Sequence, residues 1–90
     1  MEKYFVESKH TPEECLRALD EVLAKGPNVL DRIEWGCMAG DHTGYCIVDA
    51  TSDADALKIV PTFLHGKARV VKLNKFTADQ IKSFHQKKSA

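Results

Sequence analysis

One short stretch of the chain, Trp35 to Cys46 (WGCMAGDHTGYC), concentrates side chains that can do chemistry. It holds two cysteines, a histidine and an aspartate, and its interspersed glycines predict a sharp reversal of the chain. Imidazole and thiolate groups are ligands for zinc, copper, iron and nickel. The stretch is therefore a candidate rim of a functional site, and the alternative is a hairpin that simply contains cysteine.

The first interpretation is a transition-metal site with His10, Cys37 and His42 as ligands, and with Cys46 or His65 as a fourth. Nickel, zinc and copper are the metals that fit these donors. The sequence has no CxxC, HxH or HExxH motif, so the fold itself must bring each ligand into place. If a small molecule binds there instead, we expect it to contact four residues of the same rim: Trp35, Met38, Tyr45 and His65.

The second interpretation is a small enzyme, an isomerase or monooxygenase, that needs no cofactor. His10 or His42 then acts as general base, because histidine titrates closest to neutral pH. Tyr45 or Asp41 orients the substrate, while Trp35 and Met38 form the apolar wall that most ligand pockets have. The sequence contains neither a nucleophile elbow nor a glycine-rich phosphate loop, so it does not specify a reaction.

The third interpretation is a structural or regulatory subunit without chemistry. Asp41 and His42 then form a tight turn, His10 flanks a helix, and His65 is a favourable cation near a helix C-terminus. Cys15 is predicted to belong to the core, because it lies beside the apolar positions of the first predicted helix.

Length and composition indicate a single domain spanning residues 1–90, with 43% hydrophobic and 29% charged residues. Three cysteines without a secretory signal predict reduced thiols in a cytoplasmic protein. No apolar run is long enough for a membrane span. The segment after His65 is basic, but no aromatic residues alternate with its lysines, so we expect neither a nucleic-acid partner nor a membrane.

Helix and strand signals alternate along the chain. Thr11, Pro12 and Glu14 form a capping box that predicts a helix ending at Gly26, with an apolar face that includes Leu16, Leu19, Val22 and Leu23. Ser52 opens a second helix that Pro61 should kink or end, and Thr77 opens a third. Four strands are predicted between these helices: Lys3 to His10, Asp31 to Met38, Tyr45 to Ala50 and Ala68 to Phe76.

The resulting order, β-α-β-β-α-β with a short C-terminal helix, predicts an α+β fold of the ferredoxin-like type. Its antiparallel sheet has the order 4-1-3-2, with two helices on one face and the other face open to solvent or a partner. A hairpin turn centred on Asp41 and His42 places Cys37 opposite Cys46 and Trp35 opposite Val48. The same topology gathers His10, Cys37, His42 and His65 at one end of the sheet.

Three segments of the chain carry a resemblance to a known superfamily: HTPEE at His10 to Glu14, EWGCMAGDHTGY at Glu34 to Tyr45, and KARVVKLNKFT at Lys67 to Thr77. Over nearly its whole length, the chain resembles small bacterial ferredoxin-like proteins of the dimeric α+β barrel superfamily. The resemblance implies a homodimer whose two sheets pack face to face. That superfamily includes cofactor-free monooxygenases, haem-degrading enzymes, isomerases and a nickel-binding group, so it implies a fold more than a function.

Overall fold

The computed structural model describes residues 1–89, with side chains described as far as Gln86. It shows an α+β protein with four strands and four α-helices in the described residues, in the order β-α-α-β-β-α-β-α. The strands are β1 (Glu2–Lys9), β2 (Glu34–Trp35), β3 (Thr43–Ala50) and β4 (Ala68–Leu73). The helices are α1 (Cys15–Lys25), α2 (Pro27–Leu30), α3 (Asp53–Leu57) and α4 (Ala78–Ser89).

The strands form one antiparallel sheet in the order β2-β3-β1-β4. This confirms the predicted order, read from the opposite edge. At the centre of the sheet, Val6 lies between Cys46 on β3 and Val70 on β4. The end of β1 and the start of β3 are therefore neighbours, and the candidate ligands lie at this end of the sheet.

Helix α1 begins as the sequence predicts, but it buries a different stripe. The capping box is present: Thr11 N donates to Glu14 Oε1 at 2.8 Å, and Glu14 N donates to Thr11 Oγ1 at 3.3 Å. A 3₁₀ turn over Pro12–Glu14 precedes the α-helix. The buried residues of α1 are Ala18 and Val22. The predicted apolar face was wrong in two positions, since Leu16 is 69% exposed and Leu23 is 51% exposed.

The core lies between the helices and one face of the sheet. Its buried members come from β1, β3, α1 and the segment that runs from α3 through the following 3₁₀ helix over Thr62–Lys67. Val60 and Leu64 are buried. Helix α3 ends before Pro61, as the sequence predicts, because proline cannot donate a helix hydrogen bond. The buried residues of this cluster are Tyr4, Val6, Ala18, Cys46, Val48, Ala50, Ala56, Val60 and Leu64.

The predicted register between the second and third strands was wrong. Trp35 lies opposite Gly44, not Val48, and the strand stops at Trp35 instead of continuing to Met38. Cys37 starts a 3₁₀ turn over Cys37–Ala39 and has no cross-strand partnership with Cys46. The reason is that residues 36–42 form a loop with its own hydrogen bonds. Some of these residues would belong to the second strand in the predicted hairpin.

The opposite face of the sheet carries apolar side chains without a covering layer. Ile47 on β3 is 58% exposed, and Phe5, Val71 and Leu73 beside it are half-buried. Helix α4 starts at a capping box in which Thr77 and Gln80 exchange hydrogen bonds. Within residues 1–89, the helices are too short or too polar to cross a membrane.

Candidate metal centre

Four side chains from three separate segments converge at the end of the sheet where β1 ends. They are His10, Cys15, Cys37 and His42, and one ligand atom from each lies within 4.8 Å of the others. His10 Nε2 lies 3.3 Å from Cys37 Sγ. His10 is buried, and the other three are half-buried. We call this group the His/Cys cluster.

The end of β1 positions the two histidines. His10 follows the last residue of the strand, and its backbone N donates to His42 O at 3.0 Å. This hydrogen bond continues the β1–β3 pairing by one more step and holds the two residues side by side. The imidazole rings meet edge to face, with centroids 5.6 Å apart. The Trp35 ring also lies near His10, at 6.0 Å between centroids.

A compact loop, residues 36–42, positions Cys37. Gly36 N donates to Thr43 O at 3.0 Å, and Asp41 N donates to Gly36 O at 3.0 Å. These two hydrogen bonds close the loop at its base. Asp41 also accepts from Thr43 Oγ1 at 2.7 Å and from the Tyr45 hydroxyl. A methyl group on Gly36 would meet Asp41 O at 2.8 Å, so the closure requires glycine there. Cys37 is thereby held on the inner side of the loop, against His10.

Cys15 is the member of the cluster that the sequence analysis missed. It is half-buried at the first position of α1, not in the core. Cys15, Ala18 and Val22 share one face of α1, and Cys15, in the first turn of the helix, lies beside the other three ligands. A signal for it was available: a cysteine on the buried stripe, directly after a capping box that follows His10.

Burial and mutual proximity set the protonation of the cluster. Burial lowers the pKa of His10, and the nearby His42 lowers it further. Burial raises the pKa of the Cys37 thiol, and the adjacent Cys15 thiol raises it further. These shifts favour a neutral imidazole at His10 and a protonated thiol at Cys37, and a metal ion would replace the thiol proton on binding.

Both histidines have a buried ring nitrogen without a hydrogen bond. Within the part of the chain that the structure describes, His10 Nδ1 and His42 Nδ1 are shielded from solvent and have no partner. Buried polar atoms are nearly always satisfied in folded proteins, so unpartnered nitrogens call for a physical reason. A metal ion at His42 Nδ1 would give that nitrogen a partner, whereas an ion held by His10 Nε2, the nitrogen beside Cys37 Sγ, would leave His10 Nδ1 unpaired.

Other residues named from the sequence do not join the His/Cys cluster. Cys46 faces the core, 7% exposed, and burial raises its thiol pKa to about 11. His65 makes a 2.8 Å hydrogen bond between Nε2 and Val60 O. The side chain of Met38 is fully exposed on the outer side of the loop. Tyr45 lies on the open face, stacked on Phe5 with 6.1 Å between ring centroids.

The space beside Trp35 bears on the enzyme interpretation. A cavity lined by Trp35, Gly44, Cys46 and neighbouring core residues measures about 10 Å³. That volume holds about one water molecule and no organic substrate. Tyr45, a proposed substrate-orienting group, is engaged by Asp41, and this hydrogen bond raises the pKa of the Tyr45 hydroxyl. Beside Trp35 there is thus little room for a substrate, while Tyr45 lines a separate open pocket of about 320 Å³ with Phe5 and Ile47.

Comparisons with protein-family models, with curated proteins and with solved structures give no match for this chain. Its function is therefore argued from the geometry of the His/Cys cluster.

Proposed function

We propose that this protein binds one transition-metal ion through His10, Cys15, Cys37 and His42, with zinc as the best-fitting metal. The observation that carries the proposal is the convergence of four nitrogen and sulfur ligand groups within 4.8 Å of one another. Two imidazoles and two thiolates form one of the common tetrahedral ligand sets for zinc.

The dimensions of the cluster suit such an ion. Zinc–sulfur and zinc–nitrogen bonds imply ligand-to-ligand distances of about 3.3 to 3.8 Å in a tetrahedron. The 3.3 Å between His10 Nε2 and Cys37 Sγ is already in that range. The remaining separations, at most 4.8 Å, need a closure of about 1 Å. Nickel often adopts square-planar geometry, which four side chains gathered from three segments suit less well.

A site with four protein ligands favours a role in binding over catalysis. Catalytic zinc sites usually keep one position for water or substrate, whereas structural sites are closed by four side chains. The ion would join the end of β1, the start of α1 and the loop of residues 36–42. We therefore propose a metal-stabilised or metal-responsive domain.

Zinc titration by calorimetry tests the proposal, with zinc content measured on protein purified without chelator. We expect about one zinc ion per chain, and a Cys15→Ala variant should lose at least about tenfold in affinity. Cys46→Ala is the matched control, since it removes a thiol outside the cluster and should bind zinc as the parent does. Equal binding by both variants, or no binding by the parent protein, would contradict the proposal.

We also propose that the chain has a ferredoxin-like arrangement and pairs as a homodimer through the open face of its sheet. The strand order β2-β3-β1-β4, with α1 leading from β1 and α3 leading from β3, supports the first part. The exposed Ile47, at the centre of an uncovered apolar face, supports the second. The likeness to dimeric α+β barrel proteins in three sequence segments is consistent with both.

A further inference from the structure

The two cysteines of the His/Cys cluster are neighbours in space, although 21 residues of sequence separate them. Their sulfur atoms lie within 4.8 Å of each other, and both side chains are partly accessible. The remaining thiol, Cys46, is buried in the core. The molecule therefore has one accessible thiol pair and one inaccessible single thiol.

We propose that Cys15 and Cys37 are a redox modification site, at which low-molecular-weight disulfides convert the pair to an intramolecular disulfide and so displace the metal ion. This inference rests on the proposed metal site and adds that oxidation of the two cysteines controls metal binding there. A disulfide and a bound ion are mutually exclusive because both use the same two sulfur atoms. The two histidines that remain after oxidation are too few to hold zinc in a tetrahedral site.

The position of each cysteine allows the sulfur atoms to close from 4.8 Å or less to the bond length of about 2 Å. Cys15 is the first residue of α1, and Cys37 is the first residue of a 3₁₀ turn. The residues that follow Cys37, Met38 to Gly40, are exposed. This turn can therefore shift towards Cys15 without removing apolar side chains from the core.

The reaction is ordinary thiol–disulfide exchange and balances as follows. The thiolate of one cysteine attacks a sulfur of the small disulfide, forms a mixed disulfide and releases one small thiolate. The second cysteine thiolate then attacks the protein sulfur of that mixed disulfide, and the second small thiolate leaves. Two electrons pass from the protein to the small disulfide, which is reduced, and the protons of the two cysteines end on the released thiols.

The metal ion and the oxidant should compete for the pair. A bound ion holds both sulfur atoms in its coordination sphere and slows their attack, while oxidation removes two of the four ligands. Reduction by a small dithiol restores the ligand set. The protein would then release its ion under oxidising conditions and bind it again under reducing ones.

The test treats the full chain with oxidised glutathione, once metal-free and once saturated with zinc. We expect peptide mapping without reductant to show a Cys15–Cys37 linkage in the metal-free protein, formed at least about tenfold faster than in the zinc form. Zinc affinity should fall at least about tenfold after oxidation and return after treatment with dithiothreitol.

Two variants define the outcomes. Cys46→Ala should form the linkage as the parent does, whereas Cys37→Ala should stop at a mixed disulfide on Cys15. If the reduced protein binds zinc but its thiols stay as mixed disulfides, or stay reduced, the inference is wrong and the metal site stands. If the linkage forms but the reduced protein binds no zinc, the proposed function fails, and the metal-release part of the inference fails with it.

Discussion

Cys15 and Cys46 show how position in the fold gives one residue type two behaviours. Cys46 packs in the core, where its sulfur is inaccessible to small disulfides and burial raises its thiol pKa to about 11. Cys15 is half-exposed beside a second thiol and two imidazoles. A thiol in the first environment acts as a small hydrophobe, and one in the second is available to a metal or an oxidant.

Glu14, the residue before Cys15, gives a pH-dependent prediction. It accepts hydrogen bonds from Lys67 Nζ and from Thr11 N, both at 2.8 Å. The Lys67 hydrogen bond is the main cause that lowers the pKa of Glu14 to about 2. The native state therefore binds fewer protons than the unfolded state between about pH 4.5 and pH 2. The free energy of unfolding should fall as the pH drops through that window.

Urea unfolding of metal-free protein at several pH values measures this effect. Glu14→Gln should show a flatter dependence on pH below 4.5 than the parent. Glu13→Gln is the control, because the Glu13 side chain is exposed, and it should follow the parent curve. A Glu14→Gln curve that is parallel to the parent curve would refute the assignment.

At the scale of elements, the loop of residues 36–42 decides whether Cys37 reaches the cluster. Gly36→Ala should weaken zinc affinity by about tenfold, because the new methyl group collides with Asp41 O and opens the base of the loop. It should also lower the free energy of unfolding by about 1 to 3 kcal/mol. Calorimetric titration and urea unfolding measure the two effects.

Gly66→Ala is the matched control for that experiment. A methyl group at Gly66 meets nothing within 4 Å, so both zinc affinity and stability should change little. Unchanged zinc affinity in Gly36→Ala would show that the loop does not position the ligand.

The two capping boxes differ in what they support. Thr11→Ala removes the cap before α1, whose stripe is buried in the core, and should lower the free energy of unfolding by about 1 kcal/mol. Thr77→Ala removes the equivalent cap before α4, whose Ile81 and Phe84 are about half exposed. That change should reduce helical circular dichroism locally with less loss of global stability. Equal losses of global stability in urea would show that α4 is as well anchored as α1.

At the scale of the whole molecule, the chain is more extended than its length requires. Its radius of gyration is 16.7 Å, whereas a compact domain of this length has about 12 Å. Its longest dimension is 54 Å, against 27 and 22 Å for the other two. Together with the open sheet face, this shape leaves apolar surface on the sheet and on α4 that a second copy of the chain would cover.

Replacing Ile47 by Glu tests the proposed homodimer. Ile47→Glu puts a charge at the centre of the open face and should convert a dimer into a monomer in sedimentation velocity. Leu23→Glu is the control, because Leu23 is similarly exposed but lies on α1, on the opposite side of the sheet. A monomeric parent protein, or dissociation by both variants, would contradict pairing through this face.

Much of the architecture could be predicted because its signals are local. Thr11 with Glu14 and Ser52 with Asp55 mark helix starts through hydrogen bonds that span three residues. The β-α-β-β-α-β order then predicts that β1 and β3 lie at the centre of the sheet. The register of β2 could not be predicted in this way, because hydrogen bonds within the loop of residues 36–42 compete with strand pairing.

The sequence alone determined the fold class, the strand order and the gathering of His10, Cys37 and His42 at one edge, because strand and helix signals and their connections limit the topologies available. Only the tertiary structure placed Cys15 beside them and kept Cys46 out of the cluster. The reason is that one turn of helix or a shift of register moves a side chain from the core to the rim. Neither choice is encoded by the residue type, since both residues are cysteines.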